Sequence, residues 1–289
     1  MKKWLIVVVF LLLSACSSTG DATSGTEESP EKNDQEQEES EAEEKEGEAE
    51  EKEGEAEEKD KAEKKKKKDD ESQEDKEKAP GTEYVLQEDW SFAPAGEGES
   101  KVALLTIDDA PDEYALEMAK KLKDKKAPAI FFVNGHFLNT EEEKNTLKKI
   151  HDLGFPIGNH TETHASLQDL TEEEQYEQIV GVSDKIEEII GKRPDFFRAP
   201  FGQNTEYSEQ LVKEEGMLLM NWTYGYDWNE EYTDASSLAD IMVNTPLLRD
   251  GANLLMHDRE WTNKALNDII SGLREKGYTL LDPARIKRP

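Results

Sequence analysis

Cysteine is almost absent from this chain, with Cys16 the only one in 289 residues. A lone thiol excludes an intramolecular disulfide framework. Positive charge is also scarce: 36 Lys and Arg stand against 67 Asp and Glu, a formal net charge of −31. Such a balance argues against nucleic-acid binding, which needs a basic footprint. Long apolar runs are missing too. The run at residues 4–13 is far shorter than the roughly 20 residues a membrane-spanning helix needs.

The first 16 residues nonetheless have a recognisable layout. Lys2 and Lys3 precede the apolar run, and the small-residue site Leu13-Ser14-Ala15-Cys16 follows it. That is the pattern of a secretory signal, and Leu-Ser-Ala-Cys resembles the bacterial lipobox. The sole cysteine falls where lipidation requires it, so Cys16 is the expected lipid attachment site. Residues 17–80 are low-complexity. Glu-Ala-Glu-Glu-Lys-Glu-Gly occurs at 41–47 and 48–54, its first five residues recur at 55–59, and a lysine block follows at 64–68. Alanine is the only apolar residue of the repeat, so no coiled-coil seam can form. A solvated, disordered tether is expected. Residues 21–80 carry 27 acidic and 12 basic side chains, about half of the total excess.

After a lead-in at 81–100, residues 101–289 are long enough for one domain with a sizeable core. This part is also acidic, with 35 acidic and 22 basic residues. Apolar runs at 102–107, 129–133, 155–158, 195–197, 217–221, 253–256 and 278–281 read as strands. Amphipathic stretches at 113–126, 141–153, 171–190, 205–215, 236–243 and 263–276 read as helices, the third opening with the capping box Thr171/Glu174. Repeated β-then-α units imply an α/β fold with a parallel sheet closed or nearly closed into a barrel of about seven units.

Several strand ends carry chemistry. Thr106-Ile107-Asp108-Asp109-Ala110-Pro111 ends a buried strand in two adjacent carboxylates, which would repel in a dry cleft without a positive neighbour. His160-Thr161-Glu162-Thr163-His164 follows the strand at 155–158. Histidines four apart share a face if this stretch makes a helical turn, and both could then reach one metal ion. With an Asp from the neighbouring strand end, that is a three-ligand site with open positions for water. A divalent cation there would let both carboxylates stay ionised. Arg198, opening Arg198-Ala199-Pro200-Phe201-Gly202, could pin a carboxylate. His257, at the end of Leu254-Leu255-Met256-His257, suits general acid work near neutral pH. Tyr224-Gly225-Tyr226-Asp227-Trp228 brings aromatics that could stack on sugar rings.

Taken in order, these segments resemble the polysaccharide deacetylase family, the NodB-like carbohydrate esterases. The family pattern is Thr-Phe-Asp-Asp-Gly-Pro, His-Ser/Thr-x-x-His, Arg-x-Pro-Tyr/Phe, Asp-x-x-Asp-Trp and Leu-x-His. The resemblance covers residue 100 onward and implies a distorted (β/α)7 barrel with metal-dependent N- or O-deacetylase activity. Carried over, Asp109, His160 and His164 would bind the metal, with Zn2+ the first choice and Co2+ or Mn2+ the alternatives. Asp108 would be the general base, held by Arg198, and His257 the general acid. The Phe201 N–H would help bind the oxyanion, and Phe201, Asp227 and Trp228 would contact the sugar. Ile107 and Ala110 replace the family's Phe and Gly. Tyr224 stands where the family has the first Asp of Asp-x-x-Asp-Trp, the expected partner of the acid histidine; Asp227 and Asp258 are the candidate substitutes.

The resemblance and the lipobox together imply a lipid-anchored deacetylase on the extracytoplasmic face of a bacterial membrane, acting on an N-acetylated wall glycan. Peptidoglycan N-acetylglucosamine is the first expectation. Chitooligosaccharides and O-acetylated polysaccharides are same-class alternatives. A sugar-binding lipoprotein with weak catalysis is the alternative of another class, raised by Tyr224. Nothing in the sequence suggests a protein partner, and the chain is read as a monomer.

Overall fold

The computed structural model describes residues 83–289. The expected signal, Cys16, the repeats and the lysine block lie outside the described residues. Within them, each apolar run becomes a strand and each amphipathic stretch the helix that covers it. An antiparallel hairpin, β1 (Tyr84–Leu86) and β2 (Phe92–Pro94), comes first. Then follow β3 (Val102–Ala110), α1 (Ala115–Asp124), β4 (Ile130–Val133), α2 (Glu141–Asp152) and β5 (Ile157–Asn159). The chain continues with α3 (Glu172–Ile190), β6 (Phe196–Phe197), α4 (Glu206–Glu214), β7 (Leu218–Leu219) and α5 (Ala235–Asn244). It ends with β8 (Ala252–His257), α6 (Glu260–Glu275) and β9 (Thr279–Leu280). The start of α3 is capped as the sequence indicates. Thr171 accepts from the Glu174 N–H, and the Glu174 carboxylate accepts from the Thr171 N–H. Such a cap contributes about 1 kcal/mol.

Strands β3 to β9 form one parallel sheet of seven strands, in the order β7-β6-β5-β4-β3-β8, with β9 paired to the start of β3. Side chains of β3 alternate as a period of two requires. Ala103, Leu105 and Ile107 pack with Met118, Ala119 and Leu122 of α1, in the layer between sheet and helices. Val102 and Leu104 pack with Ile130, Phe132, Phe196 and Met220 inside the barrel. The same inward line continues with Thr106 and Asp108. The barrel interior is therefore apolar at one end and polar at the end where the strands finish.

The lead-in hairpin plugs the apolar end. Tyr84 and Phe92 belong to the interior cluster together with Leu281 and Ile286. The Phe92 N–H donates to the Gly251 carbonyl at 2.8 Å. Gly251 has φ +75°, and a Cβ there would lie 2.0 Å from the Phe92 carbonyl oxygen, so only glycine fits.

Edge strands β7 and β8 do not pair directly as strands. Instead Tyr224 forms a parallel bridge to Leu254, the Leu255 N–H donates to the Tyr224 carbonyl, and the Thr223 N–H donates to the Asn253 carbonyl. This irregular seam completes a distorted barrel, as expected. The run at 217–221 yields only a two-residue strand. The carbonyls of Met220 and Asn221 accept from the Arg198 guanidinium, and the Asn221 carbonyl also accepts from the Asn253 side chain of β8, so side chains take the place of a backbone ladder there.

Candidate active site

Asp108 and Asp109 are consecutive, so in a regular strand they would point to opposite faces. The structure sends both into one cleft by breaking the strand. Ile107 pairs with Phe131 but Ala110 with Val133, so β3 carries one extra residue. This is a β-bulge, and Asp109 within it is left-handed, with φ +61°. Asp108 keeps the inward direction of Thr106, and Asp109 turns to the rim.

Asp108 is buried and its two oxygens have separate neighbours. Oδ1 accepts from Arg198 Nη1 at 2.6 Å. Oδ2 lies 3.6 Å from His160 Nε2. Burial pushes the Asp108 carboxyl above the usual range, and the Arg198 charge opposes the rise. Arg198 is fully buried, and its other donors reach Thr106 Oγ1 and the carbonyls of Met220 and Asn221. Its guanidinium also lies 4.3 Å from the centre of the Phe132 ring. Every one of these partners fixes the arginine that fixes Asp108.

The two histidines meet Asp109 without any helical turn, contrary to the expected geometry. Residues 160–164 form an irregular loop with Thr161 at φ +69° and His164 at φ +58°. Its shape is imposed from outside. Asn134 Nδ2 donates to the His160 carbonyl, the Gly135 N–H to the Thr161 carbonyl, and the His136 N–H to the Glu162 carbonyl. His136, unassigned from sequence, thereby braces the loop.

Asp109 Oδ1 lies 3.8 Å from His160 Nε2 and 3.5 Å from His164 Nε2. All three ligating atoms fall within 4.8 Å of one another. Tetrahedral Zn2+ with bonds of about 2.1 Å would place its ligand atoms about 3.4 Å apart. The residues present thus fit a divalent metal ion. His160 adds a second sign. Its Nδ1 lies 2.7 Å from the Arg198 carbonyl, which as an acceptor fixes the tautomer and leaves Nε2 free as a ligand. Burial holds His160 neutral, with its pKa down to about 3.

His257 stands beside Asp108, its register partner across β3 and β8. Its Nδ1 lies 2.7 Å from Asp227 Oδ1. Burial alone would lower the His257 pKa; the Asp227 charge and hydrogen bond, with Asp108 and Asp109, outweigh it and raise the value. Asp227 is itself fully buried, and Oδ2 accepts from the His257 N–H and from Thr262 Oγ1. The resemblance put Asp227 at the sugar surface and also left it as a substitute partner of the acid histidine; the structure places it against His257, with both oxygens engaged. Tyr224 is not near that pair. Its ring is in the core between barrel and α5, and its hydroxyl donates to the Met242 carbonyl at 2.8 Å. Asp258, the other candidate substitute, accepts from the N–H groups of Asp112 and Tyr114 in the loop after β3.

These groups share a cleft of about 570 Å³. Phe201 and Trp228 form its aromatic walls, 62% and 49% exposed. The Phe201 ring is 4.9 Å from that of His164, and the Trp228 ring 5.5 Å from that of His257. Phe201 has φ +58°, which turns its ring out of the strand end. Sequence reasoning missed Trp222, Trp261, Glu230 and Arg259 as lining residues. Arg259 had a signal, since it follows His257-Asp258 at a strand end. The others come from the connection after β7 and from α6, where no local pattern marks a cleft.

The fold and site define a parallel α/β barrel whose strand ends carry an Asp-His-His cluster suited to a divalent metal ion, with Asp108 and His257 beside it. Residues 95–220 match the profile of polysaccharide deacetylases. A peptidoglycan-N-acetylglucosamine deacetylase of Bacillus cereus is 34% identical over 189 residues, which span 62% of this chain and 68% of that protein. Among solved structures, a peptidoglycan N-acetylglucosamine deacetylase in complex with 4-naphthalen-1-yl-N-oxidanyl-benzamide is 28% identical, with TM-score 0.59. The match covers 65% of this chain and 88% of that one. A carbohydrate esterase family 4 pseudoenzyme of Bacillus anthracis is 26% identical with TM-score 0.58, over 65% of this chain and 66% of its own. The chain belongs to the polysaccharide deacetylase family.

Proposed function

We propose that the protein is a metal-dependent deacetylase of a cell-wall glycan, acting on N-acetylglucosamine of peptidoglycan with Zn2+ at Asp109, His160 and His164. The observation that carries this reading is the placement of two separately held groups beside one metal cluster. Arg198 holds Asp108 on one side, and Asp227 holds His257 on the other. A divalent ion at the cluster would polarise the amide carbonyl and make water a better nucleophile.

The chain's own residues supply the rest. Asp108 Oδ2, the oxygen not taken by Arg198, accepts the proton of the attacking water. Its raised pKa makes it a better base than an ordinary carboxylate. The Phe201 N–H steadies the oxyanion that develops on the former carbonyl oxygen. Nitrogen leaves only when protonated, and His257 delivers that proton from the imidazole whose far nitrogen Asp227 holds. Phe201 and Trp228 position the sugar by stacking on its apolar faces. The products are acetate and a free amino sugar.

Family membership by itself does not carry catalysis, since a pseudoenzyme shares the fold. The His257–Asp227 pair supports catalysis here, because it gives the acid histidine the partner that Tyr224 could not provide. The lipobox supports attachment through Cys16 at the outer face of the membrane, where peptidoglycan is within reach. Among the described residues no helix is long and apolar enough to cross a membrane.

Incubation of the Zn2+-loaded protein with purified peptidoglycan, followed by mass spectrometry of the digested muropeptides, tests the substrate. Loss of acetyl from N-acetylglucosamine is expected. Loss confined to N-acetylmuramic acid, or release only from chitooligosaccharides or O-acetylated polysaccharides, contradicts the assignment.

A further inference from the structure

The mechanism above leaves Arg259 unused, although it lines the cleft. It sits at the N-cap of α6, two residues beyond His257, with an extended backbone. Its carbonyl accepts from the Asn263 N–H at 2.9 Å, so the backbone is tied to the helix. The side chain reaches back across the cleft to β3. Nη2 donates to Asp109 Oδ2 at 2.9 Å, and Nη1 donates to the Asp258 carbonyl at 3.2 Å. Nη1 is also 3.8 Å from Asp112 Oδ2. The preceding residue clamps the same loop from below, as Asp258 accepts from the N–H groups of Asp112 and Tyr114 at 2.8 and 2.6 Å.

The two oxygens of Asp109 are therefore divided. Oδ1 faces His160 and His164, and Oδ2 is held by Arg259. A rim carboxylate on a left-handed bulge residue could otherwise turn to offer either oxygen, offer both, or swing to solvent. We propose that Arg259 is a positioning residue that fixes Asp109 as a one-oxygen ligand of the metal site. This rests on the assignment of Asp109, His160 and His164 as metal ligands. Guanidinium suits the task because it stays charged at any working pH and its donors lie in a fixed fork. Two electrostatic effects oppose each other. Arg259 relieves the repulsion between Asp108 and Asp109, and it also repels an incoming cation. Partners that orient metal ligands typically strengthen binding by about 10- to 100-fold, so orientation is expected to win.

The test uses the full-length protein, with Co2+ as probe. Affinity is read by chelator competition, and ligand geometry by the visible absorption of bound Co2+. Arg259→Ala is expected to weaken Co2+ binding by about 10- to 100-fold and to alter the Co2+ spectrum, with the circular dichroism of the fold unchanged. Arg259→Lys keeps a charge and a donor, and is expected to recover part of the affinity and the wild-type spectrum. An Ala variant that binds as tightly as wild type, or tighter, overturns the proposal. So does a Lys variant as weak as the Ala variant. Wild type that fails to bind Co2+, or His160→Ala that binds it like wild type, overturns the metal assignment itself.

Discussion

Asp108 and His257 are neighbours in register, yet each has its own keeper. Arg198 binds one oxygen of Asp108, and its carbonyl also orients His160. One residue thus ties Asp108 to the Asp109–His160–His164 cluster. Asp227 does the corresponding work for His257, and it brings a pH prediction. In the proposed reaction His257 must be protonated to act, so activity is expected to fall as pH rises through its pKa. Asp227 helps raise that pKa. Asp227→Asn is therefore expected to move the alkaline limb of the kcat/KM profile to lower pH and to cut the maximum about 10²-fold. A limb that stays in place contradicts the role given to Asp227. The sequence made both candidate carboxylates visible but not the choice between them. Asp258 is adjacent to His257 in sequence and Asp227 is far from it, yet it is Asp227 that holds the His257 ring.

At the level of elements, strands were legible as short continuous apolar runs and helices as apolar residues repeating at a period of 3.6. All six helices among the described residues follow such patterns, and the Thr171 capping box formed as the sequence indicates. The parts that escaped are those shaped by contacts distant in sequence. The loop at 160–164 is left-handed at Thr161, a β-branched type that gives no hint of that conformation, and at His164, which adopts it more readily. Its form comes from Asn134, Gly135 and His136 on the neighbouring strand end. The bulge at Asp109 is equally silent in the sequence, although it decides that two consecutive carboxylates share a cleft. The seam at Tyr224 is a third case. Its hydroxyl satisfies the Met242 carbonyl in the buried layer outside the barrel. Tyr224→Phe is expected to cost about 1–2 kcal/mol in urea unfolding and to leave the pH profile of activity unchanged. A shifted alkaline limb in this variant would return Tyr224 to the catalytic machinery.

For the whole molecule, the sequence divides into a highly charged N-terminal part and a barrel, and the two invite separate tests. If Cys16 carries the lipid, Cys16→Ser is expected to lose palmitate labelling and to leave the membrane fraction, while keeping its acetate release from soluble chitooligosaccharides. A labelled Cys16→Ser protein contradicts the anchor. The barrel itself is polar at one end only, because the hairpin at Tyr84 and Phe92 closes the other with apolar side chains. The cleft lined by Asp108, Asp109, His160, His164 and His257 lies at the polar end, where the strands finish. Release of acetate from purified peptidoglycan by the full-length protein tests this account most directly. Steady release by Zn2+-loaded wild type, loss on chelation, recovery on adding metal back, and no release by Asp108→Asn are expected. Folded, Zn2+-loaded wild type that releases no acetate from any glycan, or Asp108→Asn that releases it at the wild-type rate, would contradict it.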